Sequence, residues 1–236
     1  MHNGKLYLIP TIIADHTQAD VIPAHVRNVL PSIRYFLVED VRTARRYLSS
    51  LKIYESIESL HFEVLNKDTH SHQLEVFFAP VFLGHCVGVI SESGCPGVAD
   101  PGALAVQFAH QHQIDIIPLV GPSSILLALM ASGLNGQHFA FHGYLPIDAK
   151  ESAKSIKDFE RESKQKNQTQ IFIETPFRNN SVFAFLKANL GDQTLLCIAA
   201  DITGASEFIK TQSVKRWKEN HYEWKKVPSV FLFLAT

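Results

Sequence analysis

Short apolar runs alternate along this chain with segments whose apolar residues recur every three or four positions. Leu6-Tyr7-Leu8-Ile9, closed by Pro10, and Tyr35-Phe36-Leu37-Val38 each predict a buried strand. Val26, Val29, Leu30 and Ile33 share one helical face with Pro23 suited to its first turn, and residues 41–51 predict a second helix. Leu74, Phe77, Phe78, Val81 and Phe82 mark one longer helix that stops before Gly84. A strand at 86–90, a helix opening at Ala103 and a strand at 114–117 follow. Beyond Pro122, itself suited to a first helical turn, strands are expected at 170–173, 195–199 and 230–234, with amphipathic runs at 181–190 and 214–217. Residues 148–168, rich in Lys, Glu and Ser, predict a solvated helix or excursion.

Strands separated by helices imply βαβ units with helices covering the sheet. The expected fold is therefore α/β, in two domains, residues 1–117 and 118–236, the first with a mainly parallel sheet. A length of 236 residues suits one or two cores. In such sheets ligands bind at the carboxyl ends of strands.

Composition narrows the function classes only a little. Hydrophobic residues make up 46% and charged residues 19%, as in an ordinary soluble protein, and no 18-residue apolar stretch or signal-peptide apolar region occurs, so a cytoplasmic setting without a membrane partner is expected. The net charge of −1 implies no whole-molecule attraction to nucleic acid, although a local basic face stays open. Three cysteines are too few and too scattered for a disulfide framework or a zinc site, and Cys86 and Cys197 lie in apolar runs that suit buried thiols.

The most unusual stretch is residues 91–102, "SESGCPGVADPG", with three glycines, two prolines and two acidic residues between a strand and a helix. Such a loop offers backbone N–H groups and a helix N-terminus to a polar ligand, with Asp100 placed to cap the helix and Pro101 at its first position. It fits neither G-x-G-x-x-G nor a P-loop with its G-K-[ST], so dinucleotide and triphosphate readings lose their usual support. A tight βα turn without a ligand is the plain alternative.

"VISESGCPGVADPG" resembles the V-S-D-A-G-T-P-x-I-S-D-P-G stretch of the tetrapyrrole-methylase-like superfamily of S-adenosylmethionine (SAM) methyltransferases, and within it the branch of ribosomal small-subunit RNA cytidine 2′-O-methyltransferases. "GKLYLIPT" resembles that branch's G-x-L-Y-I-V-A-T-P, and "VEDVRTARRYL" its A-E-D-T-R-x-T-R-R-L-L. "PLVGPSSILLALMASGL" is similar to P-L-P-G-P-S-A-x-x-x-A-L-x-x-S-G-L, "FHGYLP" to F-x-G-F-L-P, and "FIETPFR" to F-Y-E-S-P-H-R. The six matches keep the family's order over roughly residues 4–204. Three departures stand beside them: Thr11-Ile12-Ile13-Ala14-Asp15 replaces T-P-I-G-N, Asp201-Ile202-Thr203-Gly204 replaces E-L-T-K, and K-G-E is missing around Lys226-Val227-Pro228.

The resemblance implies a two-domain fold with SAM bound in a cleft, a homodimer, and no metal. It implies that Ser91, Ser93, Gly94, Val98, Ala99 and Asp100 line the cofactor site, with Gly121, Ser123 and Ser124 closing its far side. The acceptor implied is RNA of the small ribosomal subunit; methylation of a small tetrapyrrole-like molecule, or a paralogue that binds SAM or RNA without turnover, are the rivals. Arg178 and Glu174 match family positions too, and an ion pair holding their turn is the alternative to a catalytic role. Arg42, Arg45 and Arg46, at i, i+3 and i+4, suit an RNA phosphate or acceptor patch, or a solvated face with Glu39 and Asp40 as partners. Glu39 at a strand end suits a general base, while Asp40 suits a helix cap. The pairs His70/His72 and His110/His112 lack metal-ligand spacing, and "KRWKENHYEWKK" reads either as an RNA-binding surface or as a surface helix with Trp217 and Trp224 partly buried.

Overall fold

Leu6 and Ile9 are fully buried at the two ends of β1 (Leu6–Ile9), and the strand sits inside a parallel sheet. This is the computed structural model of the chain, which describes residues 4–219, 222 and 226–236. After β1 come α1 (Gln18–Val21), α2 (Ala24–Val29), β2 (Tyr35–Val38) and α3 (Val41–Ser50). Then follow β3 (His61–Val64), α4 (Ser71–Phe77), α5 (Ala79–Phe82), β4 (Val87–Ile90), α6 (Gly102–Gln111) and β5 (Ile116–Pro118). The sheet order is β3-β2-β4-β1-β5, with every pair parallel. One face packs Val26, Leu30, Tyr47 and Leu48 against Ile9, Phe36 and Ile90; the other packs Phe78, Val81, Ala105 and Phe108 against Leu6, Leu37, Val87 and Val89. Such two-sided cover is what an all-parallel sheet requires.

The chain divides into two units, Met1–Ser123 and Ser124–Thr236. Pro118, the first residue of the expected second domain, is still paired in β5 of the first sheet. The second unit contains α7 (Ser124–Ser132), β6 (Phe139–Tyr144), α8 (Ala149–Lys166), β7 (Thr169–Glu174), α9 (Asn179–Asn189), β8 (Leu195–Ala200), β9 (Phe208–Ser213), α10 (Val214–Glu219) and β10 (Ser229–Leu234). Its sheet runs β6-β7-β10-β8-β9, parallel only between β6 and β7. Ala128 and Leu129 of α7 cover one face, and Ile156, Phe183, Leu186 and Trp217 cover the other.

Several expectations need correction. The single helix before Gly84 is two, because Pro80 has no N–H to carry the ladder through the fully buried Phe78. Of the two readings of the polar segment at 148–168 the helix holds, capped by Asp148, and it also buries Ile156 completely. Trp217 is not partly but completely buried, donating its indole N–H to the Leu196 carbonyl at 2.8 Å. Trp224 lies outside the described residues. Cys197 is buried as expected, whereas Cys86 is only half-buried.

Candidate functional site

The register of the first sheet builds the site. Ile9 of β1 lies opposite Ile90 of β4, which lies opposite Val38 of β2. The residues that leave these strands are therefore neighbours at one sheet edge: Pro10 and Thr11, Ser91 and Glu92, Glu39 and Asp40. Backbone hydrogen bonds at this carboxyl edge are no longer needed for the ladder and are free to hold loops.

The loop after β4 is tethered at three places. Glu39 Oε1 accepts the backbone N–H of Glu92 at 3.1 Å. The backbone N–H of Thr11 donates to the Gly94 carbonyl at 2.9 Å. The Cys95 thiol donates to the Pro122 carbonyl at 3.3 Å, and burial pushes that thiol's pKa up, keeping it the donor. Within the loop Gly94 (φ +73°), Gly97 (φ +85°) and Ala99 (φ +61°) are all left-handed. For Ala99 that conformation costs about 1 kcal/mol, a strain typical of functional loops. A side chain at Gly94 would be strained by its φ and would place Cβ 3.3 Å from the Pro122 oxygen.

Asp100 closes the loop. Its Oδ1 accepts the backbone N–H of both Gly97 and Gly102, each at 2.7 Å. Pro101 is the residue preceding α6, so Asp100 is not the cap residue itself, yet its carboxylate serves the first N–H of the helix. A Cβ at Gly102 would fall 2.8 Å from that oxygen, which explains the glycine. Asp100 Oδ2 is buried without a hydrogen-bond partner. Burial raises the Asp100 pKa above the ordinary carboxylate range, against the pull of the two N–H groups. Burial also raises Glu39, with the Asp100 and Glu92 carboxylates adding to the effect. An open cavity of about 760 Å³ is lined by Glu39, Glu92, Ala99 and Asp100, with Lys67 at its wall. Three carboxylates against one ammonium make a site that welcomes a cation.

A second cavity, about 160 Å³, shares Glu92 with the first and is lined by Thr11, Asp15, His16, Arg46, Tyr47 and Ser91 among others. The sequence reading missed it, because its residues are scattered over the 11–18 loop, α3 and the end of β4. Thr11, Arg46 and Ser91 each lie in a different matched stretch, and nothing in the sequence says that the three meet.

Ser91 is buried, Ser93 and Val98 are exposed, and Gly121 packs so close to Pro10 that a Cβ would lie 2.1 Å from the Pro10 Cβ. Ser123 ends the first unit, and Ser124 opens α7 of the second. Asp40 caps α3, its Oδ1 accepting the Thr43 N–H at 2.7 Å. The three arginines are all exposed on α3 and meet different surroundings. Arg42 is exposed beside Asp40, Arg45 stands 5.8 Å over the Phe62 ring, and Arg46 lines the smaller cavity. Arg178, in the second unit, pairs with the buried Glu174 at 3.3 Å.

The departure at residues 201–204 has a physical counterpart. The Asp201 carboxylate accepts the Ser206 N–H at 2.9 Å and lies over Gly204, where a Cβ would meet Oδ1 at 2.3 Å. A lysine at Gly204 has no room while Asp201 stays in place. Among the described residues no group of three His, Cys, Asp or Glu side chains is arranged to hold a metal, and no helix is long and apolar enough to cross a membrane.

No protein-family model matches the chain. It is 29% identical over 205 residues to a Vibrio cholerae protein named Ribosomal RNA small subunit methyltransferase I, covering 87% of this chain and 67% of that one. A Halalkalibacterium halodurans protein of the same name is 30% identical over 208 residues, 88% of this chain and 65% of its own. Among solved structures, the uroporphyrin-III C-methyltransferase of Thermus thermophilus aligns at a TM-score of 0.57 and 15% identity, over 98% of this chain and 97% of that one. The chain is thus similar in sequence to proteins named Ribosomal RNA small subunit methyltransferase I and shares the fold of the uroporphyrin-III C-methyltransferases. In this chain the glycine-rich loop after β4 stands at the in-register edge of the parallel sheet. In the second unit Asp201 fills the space above Gly204, the position that holds lysine in the E-L-T-K stretch.

Proposed function

We propose that this chain is a SAM-dependent methyltransferase that modifies small-subunit ribosomal RNA at a ribose 2′-hydroxyl. The observation that carries this reading is the 28–30% identity, over 87–88% of the chain, to proteins named Ribosomal RNA small subunit methyltransferase I from several bacteria.

The residues present suit SAM. Gly94 leaves the loop backbone open, Ala99 is held in a strained left-handed turn, and Asp100 keeps one buried carboxylate oxygen without a partner. Ser91, Ser93, Gly94, Val98, Ala99 and Asp100 would hold the cofactor, with Gly121 and Ser123 beyond them. Glu39, Glu92 and Asp100 would face its sulfonium and ammonium charges. When bound, SAM supplies a methyl group already activated as a sulfonium.

This chain's own contribution is to position the acceptor for in-line approach and to take up its proton. Glu39, whose pKa burial raises, would accept the proton of a hydroxyl acceptor. Arg42 and Arg46 would hold backbone phosphates.

Titration calorimetry with SAM and its demethylated product tests the cofactor assignment. Wild type should bind at micromolar Kd, about −8 kcal/mol, and Gly94→Val should abolish binding while circular dichroism shows a folded protein. Absence of heat with either ligand in wild type would sink the assignment.

A second reading, transfer to a small acceptor, draws on the filled lysine position at Gly204 and the uroporphyrin enzymes that share the fold. It predicts label from SAM in a small-molecule extract and none in RNA.

A further inference from the structure

We propose that the 160 Å³ cavity between the 11–18 loop and α3 receives a single unstacked nucleobase of the acceptor strand, with Thr11 and Arg46 as the residues that read it. The inference rests on the RNA reading above and adds the place and the determinants of base recognition.

Thr11 is the strongest sign of an absent ligand. It is 3% exposed, and its hydroxyl oxygen has no hydrogen-bond partner. Its backbone N–H is committed to the Gly94 carbonyl, so the residue cannot turn without disturbing the loop. One buried water would satisfy the hydroxyl, but the cavity holds several times the ~30 Å³ share of one water. A planar heterocycle fits its walls. Ile12, Ile13 and Ile90 supply apolar surface for the ring faces, while Thr11, Asp15 and Arg46 supply an alcohol, a carboxylate and a guanidinium for its edge. Such a mixed edge set matches the carbonyls and exocyclic amine of a base.

Lining separates this cavity from the cofactor's. Glu39 and Asp100 line the larger cavity alone, where a sulfonium is favoured. The smaller cavity adds Arg46 and His16 to the carboxylates Asp15 and Glu92, a mixed lining that offers a base both donors and acceptors. Glu92 lines both cavities, so whatever occupies them is separated by one residue. Transfer of a methyl group needs that adjacency, and a nucleotide turned out of its stack would bring its base to one cavity and its ribose hydroxyl towards the other.

The test uses the full chain and four probes, the 5′-monophosphates of cytidine, uridine, adenosine and guanosine. Saturation-transfer NMR should show one or two of them bound in the presence of the demethylated cofactor product. Thr11→Val, which keeps shape and removes the hydroxyl, and Arg46→Gln should each weaken that binding about tenfold. In methyl transfer to RNA both should raise KM more than they lower kcat. SAM affinity by calorimetry should remain within twofold of wild type. The proposal is overturned if no monophosphate binds to a protein that does bind SAM, or if neither substitution changes nucleotide binding. It is equally overturned if Thr11→Val removes SAM binding, because the cavity would then belong to the cofactor. Failure of wild type to bind SAM would instead strike the methyltransferase reading, a separate result.

Discussion

Glu39 and Glu92 are joined across the edge of the parallel sheet: Glu39 Oε1 accepts the Glu92 backbone N–H at 3.1 Å. One side chain thereby holds the start of the glycine-rich loop and carries the carboxyl proposed as a base. The two roles separate by substitution. Glu39→Gln keeps an acceptor for the N–H, so SAM affinity should change less than threefold while kcat falls by about 10² to 10⁴. Glu39→Ala should lose both, with Kd for SAM rising about tenfold. Equal kcat in wild type and Glu39→Gln would remove Glu39 as a base and leave it as a tether.

Asp100 sets stability against binding. Burial raises its pKa, so the folded state holds its proton more tightly than the unfolded state does. Stability therefore falls as pH rises from the ordinary carboxylate range through the raised value, because the native form must then ionise a buried group. Asn keeps a carbonyl oxygen for the Gly97 and Gly102 N–H groups and carries no charge. Asp100→Asn should accordingly melt higher than wild type at pH 7, with the gap closing near pH 3. Its SAM affinity should drop about tenfold, or about 1.4 kcal/mol, because the cation loses a partner. Differential scanning calorimetry across pH, paired with SAM titration, checks both signs; a lower melting temperature for Asp100→Asn at pH 7 contradicts the account.

How much of this was legible in the sequence follows from where each element sits. β1, β2, β4, β7, β8 and β10 read as apolar runs because each has strands on both sides in its sheet. The strands that gave no signal, β3, β6 and β9, are sheet edges. β3 exposes three of its four residues, so "HFEV" shows neither an apolar run nor a clean alternation. The glycine-rich loop was visible because turns of positive φ demand particular residues, and Gly94 and Gly97 supply them. Tertiary relations were not visible. Nothing in the spacing of Arg42, Arg45 and Arg46 tells that Phe62 takes Arg45 while a cavity takes Arg46. Nor does the sequence tell that Asp201 occupies the space above Gly204, a contact set by the left-handed turn at Asp201 (φ +50°).

The arginines should divide in function as they divide in space. If Arg42 and Arg46 contact RNA phosphates, changing each to Gln should lower the slope of log K against log salt by about 0.7, the value for a single-stranded phosphate contact. Arg45→Gln should lower it less, since that guanidinium lies over Phe62. SAM affinity should be the same in all three. Filter binding of ribosomal RNA fragments across a salt titration measures the slopes; identical slopes in wild type and the triple variant would contradict an RNA contact at α3.

The most direct measurement is transfer of labelled methyl from SAM to small ribosomal subunits isolated from a strain lacking this protein. The account predicts label in the RNA, at a ribose 2′-oxygen of one nucleotide, with no incorporation by Gly94→Val and a reduced rate for Glu39→Gln. Label confined to protein or to small molecules, or no label with a protein that demonstrably binds SAM, would contradict it.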